Sequence, residues 1–240
     1  MAVAAKSAFR LELEQAVLER HCANHPMTEK WARGELGRRA LMGWAVEHWH
    51  WIKQMPAATF YRCAKAPEDV RSAELANRME EDDPNYSHKD IVLRFAAANG
   101  ADLAEVKAGR GLPTTEAWAS WLVNVAHHEH WIASLAANRV GTESQSPMLY
   151  SKVLPALRES YKFREEDIEH FWLHSTVDVA HGDRGFELLE RHCTTPELRE
   201  MAIHFARESA KMRWFYFDGI FLHYEMGYAL RQACKRDVYS

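Results

Sequence analysis

His174-Ser-Thr-Val-Asp178-Val-Ala-His181 is the stretch from which the rest of the chain is read. On a helix, at about 100° per residue, positions i, i+4 and i+7 fall within roughly 60° of one another, so two imidazoles and a carboxylate leave the same face. Nitrogen and oxygen donors converging in this way suit a divalent transition metal such as iron, manganese or zinc. An amphipathic helix can also carry His and Asp on a wet face, so the stretch needs partners elsewhere before it means a metal site.

Working outward, the flanking segments are also helical in pattern. Residues 164–193 carry the quoted stretch, and Pro196 to about Lys235 forms a final long helix with Phe205, Met212, Trp214, Phe217 and Ile220 on its apolar side. Before them, helices are expected from Ser7 to about Ala23, from Arg38 to about Cys63 with Pro56 kinking or splitting it, and from Pro67 to about Glu81. Others run from Ser87 to Asn99, from Thr114 through Leu135, and from Pro147 to about Tyr161, while 101–113 reads as loop. Ala, Leu, Glu and Arg outweigh Val and Ile, and only 11 Gly and 8 Pro are scattered through 240 residues. Composition therefore favours helix over strand. The expected fold is all-α: one domain over residues 1–240, a bundle of seven to eight helices.

The formal net charge of −4, with Lys and Arg spread along the chain, builds no basic stripe for nucleic acid. No stretch approaches 18 uncharged apolar residues, so no membrane partner is expected and the chain reads as cytoplasmic. Cys22, Cys63, Cys193 and Cys234 have no C-x-x-C spacing and read as buried thiols. Histidine, with 14 copies, is the outlier. Glu47, His48 and His50 diverge by about 100° per residue and cannot all be ligands. His127, His128 and His130 do not share a face and read as packing or surface residues. Trp44, Trp51, Trp121 and Trp172 suit a core more than a pocket.

Partners for the 174–181 stretch come from two places. Glu81 and His88 stand seven apart across Asp83-Pro84, and Glu143 stands where a long helix is interrupted ahead of Pro147. The sum is three carboxylates (Glu81, Glu143, Asp178) and three imidazoles (His88, His174, His181). Two divalent ions would bring four positive charges to three negative ones, a balance found in dinuclear carboxylate sites of helical bundles. Zinc is disfavoured, since six ligands exceed what one tetrahedral ion takes and no thiolate takes part.

Against these residues a family resemblance stands out. His25-Pro26, Trp31, Gly34 and Leu36 fit the pattern H-P-x(4)-W-x-x-G-x-L that opens many proteins of the haem-oxygenase-like, TenA/PqqC-type helical fold. Glu80-Glu81 followed by His88, then Glu143-Ser-Gln-Ser-Pro147, then His174, Asp178 and His181 resembles the ligand set of the haem-oxygenase-like diiron oxidases, and Trp214-x(3)-Asp218-Gly219 is similar to their closing helix. The resemblance implies an O2-dependent non-haem diiron oxidoreductase holding two Fe(II)/Fe(III) ions, with manganese as an alternative metal, that oxidises a small amino-acid-like or carboxylated metabolite in biosynthesis. It implies Glu81, His88 and His174 mainly on one iron, Asp178 and His181 mainly on the other, and Glu143 as the bridge. A homodimer is expected.

A metal-free or cofactorless PqqC/TenA-like enzyme or binding protein is the competing reading. A thiaminase would need a cysteine nucleophile, for which Cys63 has no matching context, and a haem protein an axial histidine such as His21 or His25, which leaves the carboxylates unexplained. Some diiron relatives, the self-sacrificing p-aminobenzoate synthases, consume their own tyrosines and a lysine. Lys152 lies in the lysine's region, but Met27 and Gly141-Thr142 stand where tyrosines are expected, so an external substrate is the better expectation. Glu80, Asp82 and Asp183 are candidates to orient the ligand imidazoles.

Overall fold

The computed structural model describes residues 6–230, with the side chains of 176–182 outside that description. No strand occurs among the described residues, and the helices number twelve rather than seven to eight. The surplus comes from short helices and from breaks that hydrophobic periodicity passes over. Helix α1 (Ala8–Leu18) starts at Ser7, whose hydroxyl accepts from Arg10 N, and buries Phe9, Leu13, Ala16 and Val17. It stops short of Ala23 because His21 starts a tight turn over Cys22–Asn24, its Nδ1 accepting from Ala23 N. Helix α2 (Pro26–Ala32) is one of the unexpected pieces, with proline in its first turn and His25 Nδ1 accepting from Met27 N.

Pro56 splits rather than kinks: α3 (Arg38–Ile52) and α4 (Met55–Lys65) are separate helices, proline sitting in the first turn of the second where its missing donor costs nothing. Helices α5 (Glu68–Glu81) and α6 (His88–Ala98) are divided at Asp83-Pro84, where Asp83 Oδ1 accepts from Asn85 N at 2.8 Å and Ser87 caps α6. The supposed loop 101–113 holds α7 (Leu103–Ala108), nucleated by Asp102, whose Oδ1 accepts from both Ala104 N and Glu105 N. The helix expected from Thr114 through Leu135 is two, α8 (Pro113–His128) and α9 (Trp131–Leu135), because His130 turns its ring back to cap Ile132 N. Helix α9 continues as a π-helical turn over Ala136–Val140. Then come α10 (Ser146–Glu159), α11 (Glu169–His192) and α12 (Pro196–Ile220).

Helix α12 runs against α1, α8 and α9, while α3 pairs with α6 and α10 with α11. Between them lies an aromatic core in which Trp31, Trp44, Phe95, Trp118 and Phe171 are fully enclosed. Trp44 therefore belongs to the core, as expected, whereas Trp51 packs in the core and also borders the cavity described below. Close helix approach depends on absent side chains: a Cβ on Gly219 of α12 would lie 1.9 Å from Thr114 Oγ1 on α8. We expect Gly219→Ala to destabilise the fold by about 1–3 kcal/mol through overpacking, read as a lower urea midpoint with unchanged slope.

His21 sets a pH dependence. Burial, and then the charges of Arg213 and Lys152, push its imidazole down to about 4 from an ordinary 6.5. The unfolded chain takes up a proton below 6.5 that folded His21 refuses until about 4, so this contribution to stability is complete above 6.5 and declines as pH falls through that window. His21→Asn retains a capping oxygen; its urea midpoint is expected to drop less between pH 7 and pH 5 than that of the unaltered protein.

Candidate metal centre

The break between α5 and α6 brings two donors together. Glu81 is the last residue of α5 and His88 the first of α6, and the Asp83-Pro84 turn folds them toward each other until His88 Nδ1 lies 3.1 Å from Glu81 Oε2. From α11, His174 stacks edge-on to His88, with ring centroids 4.8 Å apart. One donor atom from each of Glu81, His88 and His174 lies within 4.8 Å of the others. Two imidazoles and a carboxylate at that spacing match the ligand chemistry of non-haem iron.

Protonation also suits a metal. Burial alone would raise Glu81, but the hydrogen bond and charge of His88, with His174 and Arg78, override it and bring the carboxyl down to about 2. Burial holds His174 below its ordinary value. The site therefore presents a carboxylate and a neutral imidazole, the forms in which these groups bind metal. His174 Nδ1 lies 2.8 Å from the His170 carbonyl oxygen, which only accepts, so Nδ1 carries the proton and Nε2 is left as the donor atom. The group that orients His174 is thus backbone. Of the side chains suggested for such a role, Asp82 lies beside Arg78 at 2.7 Å and Lys89 at 2.6 Å, Asp183 pairs with Arg10 of α1, and Glu80 is exposed.

Glu143 faces the same cavity but stands apart from the three-donor group. Its carboxylate accepts from Asn138 Nδ2 at 2.8 Å and pairs with Arg139. Asn138 and Arg139 sit on the π-helical turn after α9, a local widening of the helix that often marks functional positions. Asp178 and His181 lie on α11, and their side chains fall outside the described residues.

The cavity, of about 50 Å³, reaches from Glu81 and His174 past His48, His170 and Tyr150 to Arg213. Of Glu47, His48 and His50 on α3, His48 lines the cavity and the other two make contacts elsewhere. Glu47 is a buried structural acceptor for Leu112 N, Thr115 Oγ1 and Tyr224 Oη, and His50 Nδ1 lies 2.9 Å from Lys53 Nζ. His48 stacks on Trp44 and stands 5.0 Å from His170, ring to ring. Burial, with Arg213 and the neighbouring histidines, holds both His48 and His170 well below the ordinary histidine value, so both are neutral. His170 was missed in the sequence, although its place one turn before His174 on the same face was a usable signal. Arg213 and Tyr150 had none, since their part depends on helices packed from distant segments.

Other candidates fall away. His25 caps α2 with Nδ1 and donates from Nε2 to Asp218 at 3.0 Å, which leaves neither nitrogen for haem. Lys152 reaches the Ala23 carbonyl at 2.8 Å and pairs with Glu29, away from the cavity lining.

Residues 42–214 match the family described as iron-containing redox enzymes of haem-oxygenase type, well over half of the chain. The chain belongs to that family. Among relatives of this iron-containing redox enzyme, the 4-aminobenzoate synthase of Nitrosomonas europaea is 25% identical over 231 residues, covering 92% of this chain and 94% of that protein. The pyrroloquinoline-quinone synthase of Granulibacter bethesdensis is 24% identical, covering 89% and 86%. The fold agrees: a haem-oxygenase-like domain of unknown function from Shewanella denitrificans superposes with a TM-score of 0.78 at 20% identity, covering 93% and 97%, and a TenA homologue from Pseudomonas syringae with 0.76 at 15%, covering 92% and 96%. No described helix is long and apolar enough to cross a membrane.

Proposed function

We propose that this iron-containing redox enzyme is an O2-dependent diiron oxidase or oxygenase acting on a small amino-acid-like or carboxylated metabolite. The observation that carries the reading is the convergence of Glu81, His88 and His174 within 4.8 Å. These three would hold one iron, Asp178 and His181 chiefly the second, and Glu143 would bridge. Bound iron would supply the electrons and the open coordination positions for dioxygen chemistry. The chain's own residues do the rest: the aromatic walls exclude water, His170 fixes the His174 tautomer through its carbonyl, and Arg139 with Asn138 holds Glu143 facing the cavity. The Tyr150 hydroxyl and His170 Nε2, 3.1 Å apart, form a pair able to hold a proton beside the reacting space.

The test is anaerobic titration with Fe(II), followed by oxygen uptake over a panel of amino acids and fatty acids. Two irons per chain and substrate-triggered uptake are expected; a protein that takes up only trace metal, or acts equally without it, overturns the proposal in favour of a cofactorless enzyme. A second reading has one observation in its favour. Tyr150 lines the cavity with its ring 6.1 Å from that of His174, and 4-aminobenzoate synthases are among the relatives; in this reading the substrate is a tyrosine of the chain itself. Intact-mass analysis after iron and oxygen separates the two: an unchanged mass leaves the external substrate, a loss mapped to Tyr150 replaces it.

A further inference from the structure

Three arginines line the cavity, and two of them are neutralised. Arg78 faces Asp82 at 2.7 Å and Glu81 at 3.7 Å, and Arg139 donates from Nε to Glu74 at 2.7 Å and pairs with Glu143. Arg213, on α12, differs. It is 3% exposed, and its described partners are two neutral oxygens: the Thr142 carbonyl, and Ser146 Oγ at a long 3.5 Å. Nε is buried with no partner. No carboxylate pairs with it among the described residues. A guanidinium enclosed without a counter-charge is costly, and its planar fork is shaped for a carboxylate.

The same cavity lining carries a second unused donor. Trp51 Nε1 is buried without a partner, and its indole lies flat on Trp118 at 4.7 Å. An apolar surface and a spare N–H thus line the same cavity as this cation, and the cavity also holds Glu81 and His174. The Arg213 charge bears on the cavity histidines His48 and His170 and, after burial, helps keep them neutral.

We propose that Arg213 is the substrate anchor of this cavity, binding the carboxylate of a small monocarboxylic acid whose apolar body lies along Trp51, so that the far end of the molecule faces Glu81 and His174. The assignment rests on the oxidase reading for what happens at that far end, but the anchoring itself needs no metal. Its test is therefore a binding measurement on metal-free protein. Benzoate, phenylacetate and hexanoate are each titrated against the matching neutral amide, by calorimetry, with the unaltered protein, R213Q and R213K. At least one acid is expected to bind at least tenfold more tightly than its amide, a preference that R213Q abolishes and R213K keeps in part.

Equal binding of acid and amide, an acid preference that survives in R213Q, or no binding of any acid overturns the assignment. Because Arg213 also donates to the Thr142 carbonyl, helical circular dichroism is recorded for each variant; should R213Q fail to fold, R213K and the acid-against-amide comparison in the unaltered protein decide. Iron uptake is measured separately. An acid preference in a protein that takes up no iron leaves Arg213 standing and removes the oxidase, whereas intact iron uptake without an acid preference removes Arg213 alone.

Discussion

His174→Ala, prepared anaerobically with Fe(II), is expected to retain less than a tenth of the iron of the unaltered protein and to lose oxygen uptake, with helical circular dichroism unchanged. The physical ground is the geometry of three donors from three helices: α5 and α6 supply Glu81 and His88 across one turn, and only α11 closes the site. Without His174 the remaining pair is His88 and Glu81, 3.1 Å apart, with no third direction. Removing an outer-shell partner of a metal ligand typically costs about 10–100-fold in affinity, so removing a ligand is expected to exceed that. The control is His48→Asn, which changes a cavity imidazole outside the three-donor group and should leave iron uptake near that of the unaltered chain. Unchanged iron in the His174 variant would sink the assignment.

Glu74→Ala is expected to be among the most destabilising single changes in the protein. Glu74 is buried between two arginines, accepting from Arg62 Nε at 2.8 Å and Arg139 Nε at 2.7 Å, while Arg62 also donates to Ser134 Oγ at 3.0 Å. Burial alone would raise its carboxyl, but Arg139 and Arg62 override that and hold it at about 2. With Glu143, the two acids and two bases balance; deleting Glu74 leaves Arg139 with Glu143 and the enclosed Arg62 with only Ser134 Oγ among its described partners. Breaking a buried ion pair in this way costs roughly 3–5 kcal/mol, which for a domain of this size corresponds to a fall in melting temperature on the order of 10 °C. The same carboxylate gives a sign in pH: its folded value is depressed, so its contribution is present above the unfolded value near 4.5 and is lost as pH falls toward about 2. The Ala variant should therefore show a flatter acid limb. A loss under 1 kcal/mol would mean that the cluster relaxes or admits water on truncation.

The two variants also separate two tasks of neighbouring residues. Arg139 is shared between Glu74 and Glu143, so loosening the first acid frees the arginine that holds the second, and the Glu74 variant should lose some iron affinity as well as stability. His174→Ala should show the reverse pattern, a large effect on metal and a small one on folding.

How much was legible beforehand follows from what each signal encodes. Helix class and single-chain order are local properties, carried by periodicity, caps and breakers, and they were readable in the chain alone. The breaks were less so. Pro56 and Asp83-Pro84 announce themselves, but α2, α7 and the division at His130 depend on side chains that fold back to cap a backbone N–H, a choice between packing and capping that residue type does not make. Glu81, His88 and His174 could be named because spacing and order restrict which donors can meet.

The sequence by itself determined an all-helical chain and offered candidate donor residues, in an order that resembles one family's. Tertiary structure decided which of these donors meet: Glu81, His88 and His174 converge, while Glu143 is bound by Arg139 and Asn138. It also decided that His170, Tyr150 and Arg213 share their cavity. The reason is range. A helix repeat fixes directions within about two turns, whereas the placing of Arg213 on α12 in one cavity with residues of α3, α5 and α11 comes only from packing those helices around one aromatic core, a long-range outcome that no short stretch of the chain contains.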